Sequence, residues 1–318
     1  MTTMRAAVCV RAGGPEVLEI REVPVPAVRA GWSLVRVMAA GLNRSELRTR
    51  QGHSPGVAFP RVLGIECVGT VAASSDPALP EGTTVAAVMG EMGRRFDGGY
   101  AEYALLPNAL LMPLGTSLPW DTLAALPETY LTAQGSLDAL GIVRGNRLLI
   151  RGGTSSVGMA AASIASARGI EVVATTRRPS KVEALRAAGA GQVLIDDGGT
   201  LAGDRFDGVL DLVGARTAVD SLRLVRRGGT VCVSGSLSGW LIGDFEPIAM
   251  IPSGTRLTSF HSDDAKGAAA TLQRIVDEVE TGAYRPNVDR VFDLADIVAA
   301  HRYMEDDAAA GKVVVSTR

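Results

Sequence analysis

Leu148-Leu149-Ile150-Arg151-Gly152-Gly153-Thr154-Ser155-Ser156-Val157-Gly158 is the stretch that decides the fold. A short apolar run stops abruptly at small residues, and Met159-Ala160-Ala161-Ala162-Ser163-Ile164-Ala165 continues as helical text. Strand, tight turn and helix N-terminus, in that order, make an anion site. The first helical turn leaves backbone N–H groups without intrahelical partners and carries the positive end of the dipole. A pyrophosphate is the expected guest. The dinucleotide fingerprint asks for small residues at three places. Gly153 is expected to make the tight turn. Ser155 stands where backbone meets phosphate and offers a hydroxyl, and Gly158 lets the helix pack close on its strand. Thr154, Ser156 and Val157 complete the cofactor-binding set. By spacing alone the match is incomplete, and such a turn also serves as plain punctuation between strand and helix.

The next strand chooses between cofactors. An NAD site usually places Asp or Glu about 20 residues past the turn, on the ribose 2′-hydroxyl. Here the strand end reads Ala174-Thr175-Thr176-Arg177-Arg178-Pro179-Ser180-Lys181, with no carboxylate. Guanidinium, ammonium and hydroxyl groups suit a 2′-phosphate. This predicts NADP(H), with Thr176, Arg177 and Lys181 as contacts and Arg178 equally suited to solvent. Ser180 and Glu183 have capping-box spacing, which assigns Glu183 to the helix. Ligands of open α/β sheets bind outside the carboxyl ends of the strands. That rule adds Val213, Gly235 and Ser236 as cofactor contacts. Phe260, at the end of the last strand, is expected to close over the nicotinamide. An ordinary strand-to-helix connection is the alternative for all of these.

Outward from this centre the chain divides. Residues 4–118 are β-rich, with apolar runs at 6–10, 34–39, 68–72, 84–88 and 103–106 between Gly/Pro breaks, which suggests a barrel-like or sandwiched unit. From about Trp120, strands at 147–151, 171–176, 193–195, 208–212, 230–234 and 256–260 alternate with helices near 156–168, 180–188, 216–226 and 265–281. That alternation predicts a parallel sheet covered on both faces. Leu272, Ile275, Val276 and Val279 form one core-facing stripe. A helix near 294–305 and a strand at 312–316 end the chain.

With 318 residues and 47% hydrophobic content, one large or two ordinary domains are expected. Charged residues are 21% and the net charge is -2, so no basic footprint for nucleic acid exists. No run nears the ~18 apolar residues of a membrane span. The N-terminus lacks a signal peptide's apolar core. Cys9, Cys67 and Cys232 are scattered and read as reduced thiols of a cytoplasmic protein.

Arg151-Gly152-Gly153-Thr154-Ser155-Ser156-Val157-Gly158 resembles the cofactor turn of zinc-independent quinone oxidoreductases of the medium-chain dehydrogenase/reductase superfamily. The resemblance covers nearly the whole chain. It includes Gly41-Leu42-Asn43-Arg44-Ser45-Glu46, Phe59-Pro60-Arg61-Val62-Leu63-Gly64-Ile65-Glu66, Leu126-Pro127 to Leu131-Thr132-Ala133, and Val291-Phe292-Asp293-Leu294 to Gly311-Lys312-Val313-Val314. It implies an α/β fold in which a Rossmann-type doubly wound parallel sheet, residues 121–283, is inserted in a GroES-like β-rich catalytic domain, residues 1–120 and 284–318.

Zinc-dependent relatives carry Cys where Asn43 stands and His where Ile65 stands. Amide and alkyl groups cannot replace a thiolate and an imidazole, so no metal is expected. Without a Lewis acid, quinones and activated C=C bonds are easier hydride acceptors than simple ketones, since conjugation spreads the charge and one hydrogen-bond donor can meet it. The resemblance places Asn43 beside the nicotinamide as that donor, with a turn role as its alternative. Tyr130 and Thr132 are candidates to line the substrate cleft, with helix packing as the alternative and the favoured reading for Tyr130; His301 reads as a packed or surface histidine, and Glu66 as a structural carboxylate or one that supports the site from behind, before a base. The expected activity is NADPH-dependent quinone reduction. An enone or enal reductase, or a nucleotide-binding sensor with little turnover, are the alternatives. Residues 256–260 look like an edge strand, which predicts a homodimer.

Overall fold

The computed structural model describes residues 2–201, 203, 205–239, 241–264 and 266–318. They form two compact units. One comprises Met1–Glu128, Gly267–Glu280 and Val288–Arg318, the other Thr129–Lys266 and Thr281–Asn287.

In the first unit, Trp32–Leu42 is the organising strand. It pairs antiparallel with Glu66–Ser74, Tyr103–Pro107 and Lys312–Ser316. Lys312–Ser316 pairs in parallel with Val288–Asp293, and Thr84–Val88 with Met112–Pro113 completes a seven-stranded sheet. Leu18–Pro24, Thr3–Cys9 and Arg61–Val62 make a second, three-stranded sheet. Val35, Val37, Leu42, Leu63, Leu106, Ile297, Val313 and Val315 share one core. The alternation of these β-branched and leucine side chains is what a pleated, half-buried surface requires. The C-terminal strand is therefore built into the N-terminal β unit, and this is the GroES-like domain.

The second unit holds six parallel strands, in the order Gln192–Ile195, Glu171–Thr176, Arg147–Arg151, Phe206–Asp211, Val225–Val233, Arg256–Ser259. This is the 3-2-1-4-5-6 order of a doubly wound sheet. Leu148, Leu149 and Ile150 are wholly buried, as a strand covered on both faces demands. The chain reverses its direction of travel across the sheet at Arg147–Arg151, so the small-residue turn after it sits at the topological switch point.

Among the described residues, no helix is long and apolar enough to cross a membrane. The helix Ala268–Glu280 buries Leu272, Ile275, Val276 and Val279 as its stripe predicts. Its polar face reaches the 115–117 segment: Gln273 Nε2 donates to the Gly115 carbonyl at 2.9 Å, and Ser117 N donates to Glu280 Oε1 at 2.8 Å. These bonds group the helix with the first unit, whereas the alternation of strands and helices places it in the 121–283 segment. The strand Leu18–Pro24 has no counterpart in the sequence reading. Only its first residue is buried, so no period-2 signal exists.

Candidate functional site

The turn after Arg147–Arg151 is built by three glycines and a serine. Gly152 has φ +76° and makes the bend. The sequence assigns the bend to Gly153; the structure moves it one residue earlier. Gly153 is instead pressed on the next strand, where an added Cβ would lie 3.0 Å from both Ala174 Cβ and the Thr175 carbonyl. Gly158 has the expected job: a Cβ there would meet the Gly153 carbonyl at 2.6 Å and the Gly152 carbonyl at 2.8 Å. Ser155 is the N-cap of the helix Ser156–Ala167. Its Oγ accepts from Gly158 N at 3.1 Å and donates to the Gly152 carbonyl at 2.8 Å. The Ser155 hydroxyl thus caps the helix through Gly158 N, and the Ser156 and Val157 amides of the first turn are the ones left for an anion. Thr154, Ser156 and Val157 are half-buried around that turn.

Thr176 is buried at the end of its strand, and its Oγ1 accepts from Arg178 N at 3.1 Å, which fixes the basic loop. Arg177 and Arg178 are exposed. The Ser180–Glu183 capping box does not form. Pro179–Lys181 is a 3-10 turn, the helix Val182–Ala187 starts after it with Lys181 in the N-cap position and no side-chain capping bond, and Glu183 pairs with Arg186 at 2.6 Å. Pro179 sets this outcome, because its fixed φ starts the tighter turn before Ser180 can act as a cap.

Two further loops meet at the same edge of the sheet. Asp211 Oδ1 accepts from Val213 N at 2.9 Å, Gly214 N at 3.0 Å and Thr217 Oγ1 at 2.8 Å. A Cβ on Gly214 would lie 2.8 Å from the Gly235 carbonyl, and one on Gly235 would lie 2.1 Å from the Leu212 carbonyl. Backbone lies against backbone, so Val213, Gly235 and the half-buried Ser236 are brought together. Phe260 directly follows the last strand of the sheet, Arg256–Ser259. Its ring lies on Gly135 in the helix Pro127–Leu140, where a Cβ would be 2.1 Å from Cζ. It fills the notch a glycine leaves in that helix. Tyr130, on the same helix, is buried and stacks on Tyr284 at 6.2 Å.

The first unit holds a buried polar cluster around Asn43. Asn43 caps the helix Arg44–Arg50 in a capping box with Glu46. Its Nδ2 donates to Glu66 Oε1 at 2.9 Å and to Glu46 Oε1 at 3.3 Å. Lys312 Nζ donates to Asn43 Oδ1 and to Glu66 Oε1, each at 2.6 Å. Glu66 Oε2 accepts from Glu128 N at 2.9 Å. Glu66 is buried and bonded within this cluster. Glu46 and Lys312 were not singled out by sequence. Glu46 sits in the S/T/N-x-x-E spacing that could have flagged it, whereas Lys312 stands in the Gly311–Val314 segment of the resemblance, where nothing pointed to a buried ammonium. His301 is buried, its Nδ1 3.4 Å from Arg50 Nη1. Burial, then the Arg50 charge, pushes its pKa down to about 3, so it stays neutral.

Burial pushes the Glu46 carboxyl up to about 7, against the Ile65 amide and the Lys312 charge, which favour its ionised form. A carboxyl whose pKa is higher folded than unfolded stabilises the fold at low pH, and that contribution is lost as pH rises through the folded value. Glu46→Gln keeps the cap geometry without the titration. The wild type should therefore lose melting temperature relative to this variant as pH rises from 4.5 through about 7. A difference in melting temperature that is flat with pH would contradict the assignment.

Residues 29–116 match the alcohol dehydrogenase GroES-like domain and residues 186–315 match the zinc-binding dehydrogenase model. The chain is 29% identical to the quinone oxidoreductase of Rattus norvegicus, covering 98% of this chain and 97% of that one. Its fold matches the Pseudomonas syringae pv. Tomato DC3000 quinone oxidoreductase with a TM-score of 0.89 at 26% identity, over 99% of this chain and 100% of that one. It also matches mycobacterial Rv1454c, solved in complex with NADPH, with a TM-score of 0.86 at 27% identity, over 98% and 99% of the two chains. The chain belongs to the medium-chain dehydrogenase/reductase superfamily, whose members bind nicotinamide cofactors. Its relatives include several quinone oxidoreductases, and it is an oxidoreductase of small molecules.

Proposed function

We propose that this chain is an NADPH:quinone oxidoreductase that works without zinc. The observation that carries the reading is the pair of neighbouring strand ends: a bend at Gly152 opening a helix N-terminus, and beside it a strand whose end runs into Arg177 and Arg178. The first suits a diphosphate and the second a 2′-phosphate. Arg177, Lys181 and the Thr176 hydroxyl would hold the 2′-phosphate. The amides of Ser156 and Val157, in the turn that Thr154, Ser155 and Gly158 shape, would hold the diphosphate. Val213, Gly235 and Ser236 would flank the nicotinamide ribose. NADPH supplies the hydride; the protein binds and orients it.

Zinc independence is supported by the Asn43 cluster. Asn43 and Ile65 are not ligands that zinc favours, and the Lys312 ammonium already lies 2.6 Å from both Asn43 Oδ1 and Glu66 Oε1. A second cation there would meet this charge. Asn43 would serve the reaction through the Nδ2 hydrogen whose present acceptors, Glu46 Oε1 at 3.3 Å and the Gly41 carbonyl at 3.4 Å, are more distant than Glu66. Turned to a substrate oxygen, it would donate to the charge that develops there. Solvent would supply the proton.

The test is NADPH oxidation with a panel of quinones and a panel of enones, each with and without a chelator. Quinone reduction indifferent to chelator is the expected result. Turnover confined to enones would move the substrate to activated C=C bonds. Tight nucleotide binding without turnover would make the protein a sensor, and chelator inhibition would restore a metal.

We also propose a homodimer in the cytoplasm. Arg256–Ser259 is the edge of its sheet, and the segment leading into it exposes Leu241 at 91% and Ile248 at 93%. Such an edge is commonly paired or covered. All three cysteines are free and buried, as a reducing compartment allows. Light scattering should give twice the chain mass; the mass of one chain would refute the dimer.

A further inference from the structure

Arg151 is the last residue of the central strand, and it is unusual for a charged side chain in having no exposed surface. Its guanidinium makes a two-pronged pair with Asp196, Nε to Oδ2 at 2.9 Å and Nη2 to Oδ1 at 3.1 Å. Nη1 donates to Asp220 Oδ2 at 2.6 Å, and Nη2 donates to the Gly199 carbonyl at 3.0 Å. Fully desolvated ion pairs of this kind are poor devices for stability, because apolar residues of the same volume do as well or better. They do fix geometry. Here the fixed element is the loop after Gln192–Ile195.

That loop lies beside the basic one. Thr176 pairs in register with Ile195, and Asp196 N donates to the Thr176 carbonyl at 3.0 Å. Asp196 and Arg177 therefore leave the sheet side by side. Arg177 is exposed, whereas the Asp196 side chain is only 3% exposed and turned under the sheet edge onto Arg151. The same grip positions Asp197, whose Oδ1 accepts from Gly199 N at 3.0 Å.

We propose that Arg151 is a specificity-determining positioning residue, which selects NADPH by holding the Asp196 carboxylate away from the neighbouring nucleotide 2′ position. The inference rests on the cofactor reading above. Arg151 does not touch the nucleotide. It acts through Asp196, which, once released beside Arg177, repels a 2′-phosphate and accepts a hydrogen bond from a 2′-hydroxyl. The preference for NADPH is thus written twice: in the exposed basic loop and in a buried arginine that disarms the adjacent acid.

The experiment compares NADPH and NADH dissociation constants, by titration calorimetry, for the wild type, Arg151→Leu and Arg151→Leu/Asp196→Asn. The expected result is that Arg151→Leu lowers the NADPH-over-NADH preference about tenfold or more, as one added like charge near a phosphate does, and that the double variant regains it. A purely structural role would weaken both nucleotides by one factor and leave the ratio alone. An unchanged ratio in Arg151→Leu, or a double variant as altered as the single, would overturn the proposal. If Arg151→Leu does not fold, Arg151→Lys decides by the same ratio, because an ammonium cannot bridge both Asp196 oxygens in the planar manner of a guanidinium. A wild type that binds neither nucleotide would overturn the cofactor reading itself, whereas a wild type that prefers NADPH beside variants with the same ratio would overturn only the role of Arg151.

Discussion

Ser155→Asp is expected to weaken NADPH binding by roughly 100-fold while leaving the fold intact. The two halves of that expectation have separate causes. Ser155 accepts from Gly158 N as the N-cap of Ser156–Ala167, and Asp is as good a cap as Ser. The helix therefore keeps its start, and the negative charge even favours the positive end of the dipole. A diphosphate held by the same turn meets that charge directly. Two like charges about 5 Å apart at an effective dielectric near ~20 repel by about 3 kcal/mol, which is roughly 100-fold in affinity. Ser155→Asn, with the same capping ability and no charge, should bind within about threefold of the wild type, a change worth under ~1 kcal/mol. Calorimetric titration with NADPH, alongside thermal melts, checks both. Equal affinity for the Asp and Ser forms would remove the diphosphate from this turn.

Arg177→Glu should cost NADPH about 50-fold or more and NADH only a few-fold, because one attractive pair with the 2′-phosphate becomes a repulsive one. Arg177 is exposed and lies at the end of its strand, so little of the fold depends on it. The readout is the ratio of the two dissociation constants and its dependence on salt. Screening should shrink the NADPH effect as ionic strength rises. Losses equal for both nucleotides would mean that this loop does not read the phosphate.

The parts of the molecule legible in sequence are those held by local rules. Arg147–Arg151 and Glu171–Thr176 are buried parallel strands, and continuous apolar runs bounded by small or charged residues mark both their ends. The stripe of Ala268–Glu280 follows from helical spacing alone. Gly158 was legible because close helix-to-turn packing leaves no room for a Cβ. The exposed strand Leu18–Pro24 left no such trace, since its hydrogen bonds to Thr3–Cys9 hold it and its side chains do not.

The site was legible in outline and not in its wiring. Ser155, Thr176 and Asn43, each expected to face a ligand, have protein partners. Ser155 caps a helix, and Asn43 is shared between Glu66, Glu46 and Lys312. Those partners lie up to 269 residues away along the chain, where no motif can point to them. No sequence signal singles out Arg151, which reaches Asp196 across 45 residues. The glycine that receives the Phe260 ring, Gly135, sits inside a helix, where glycine disrupts propensity and so marks a packing need.

The most direct measurement is a crystal structure of the chain grown with saturating NADPH. The expected density places the diphosphate on the amides between Ser155 and Gly158, with the 2′-phosphate within hydrogen-bond reach of Arg177. Density for the diphosphate anywhere else, or a turn that stays closed by its own side chains at saturating nucleotide, would contradict the assignment of this protein as an NADPH-dependent reductase.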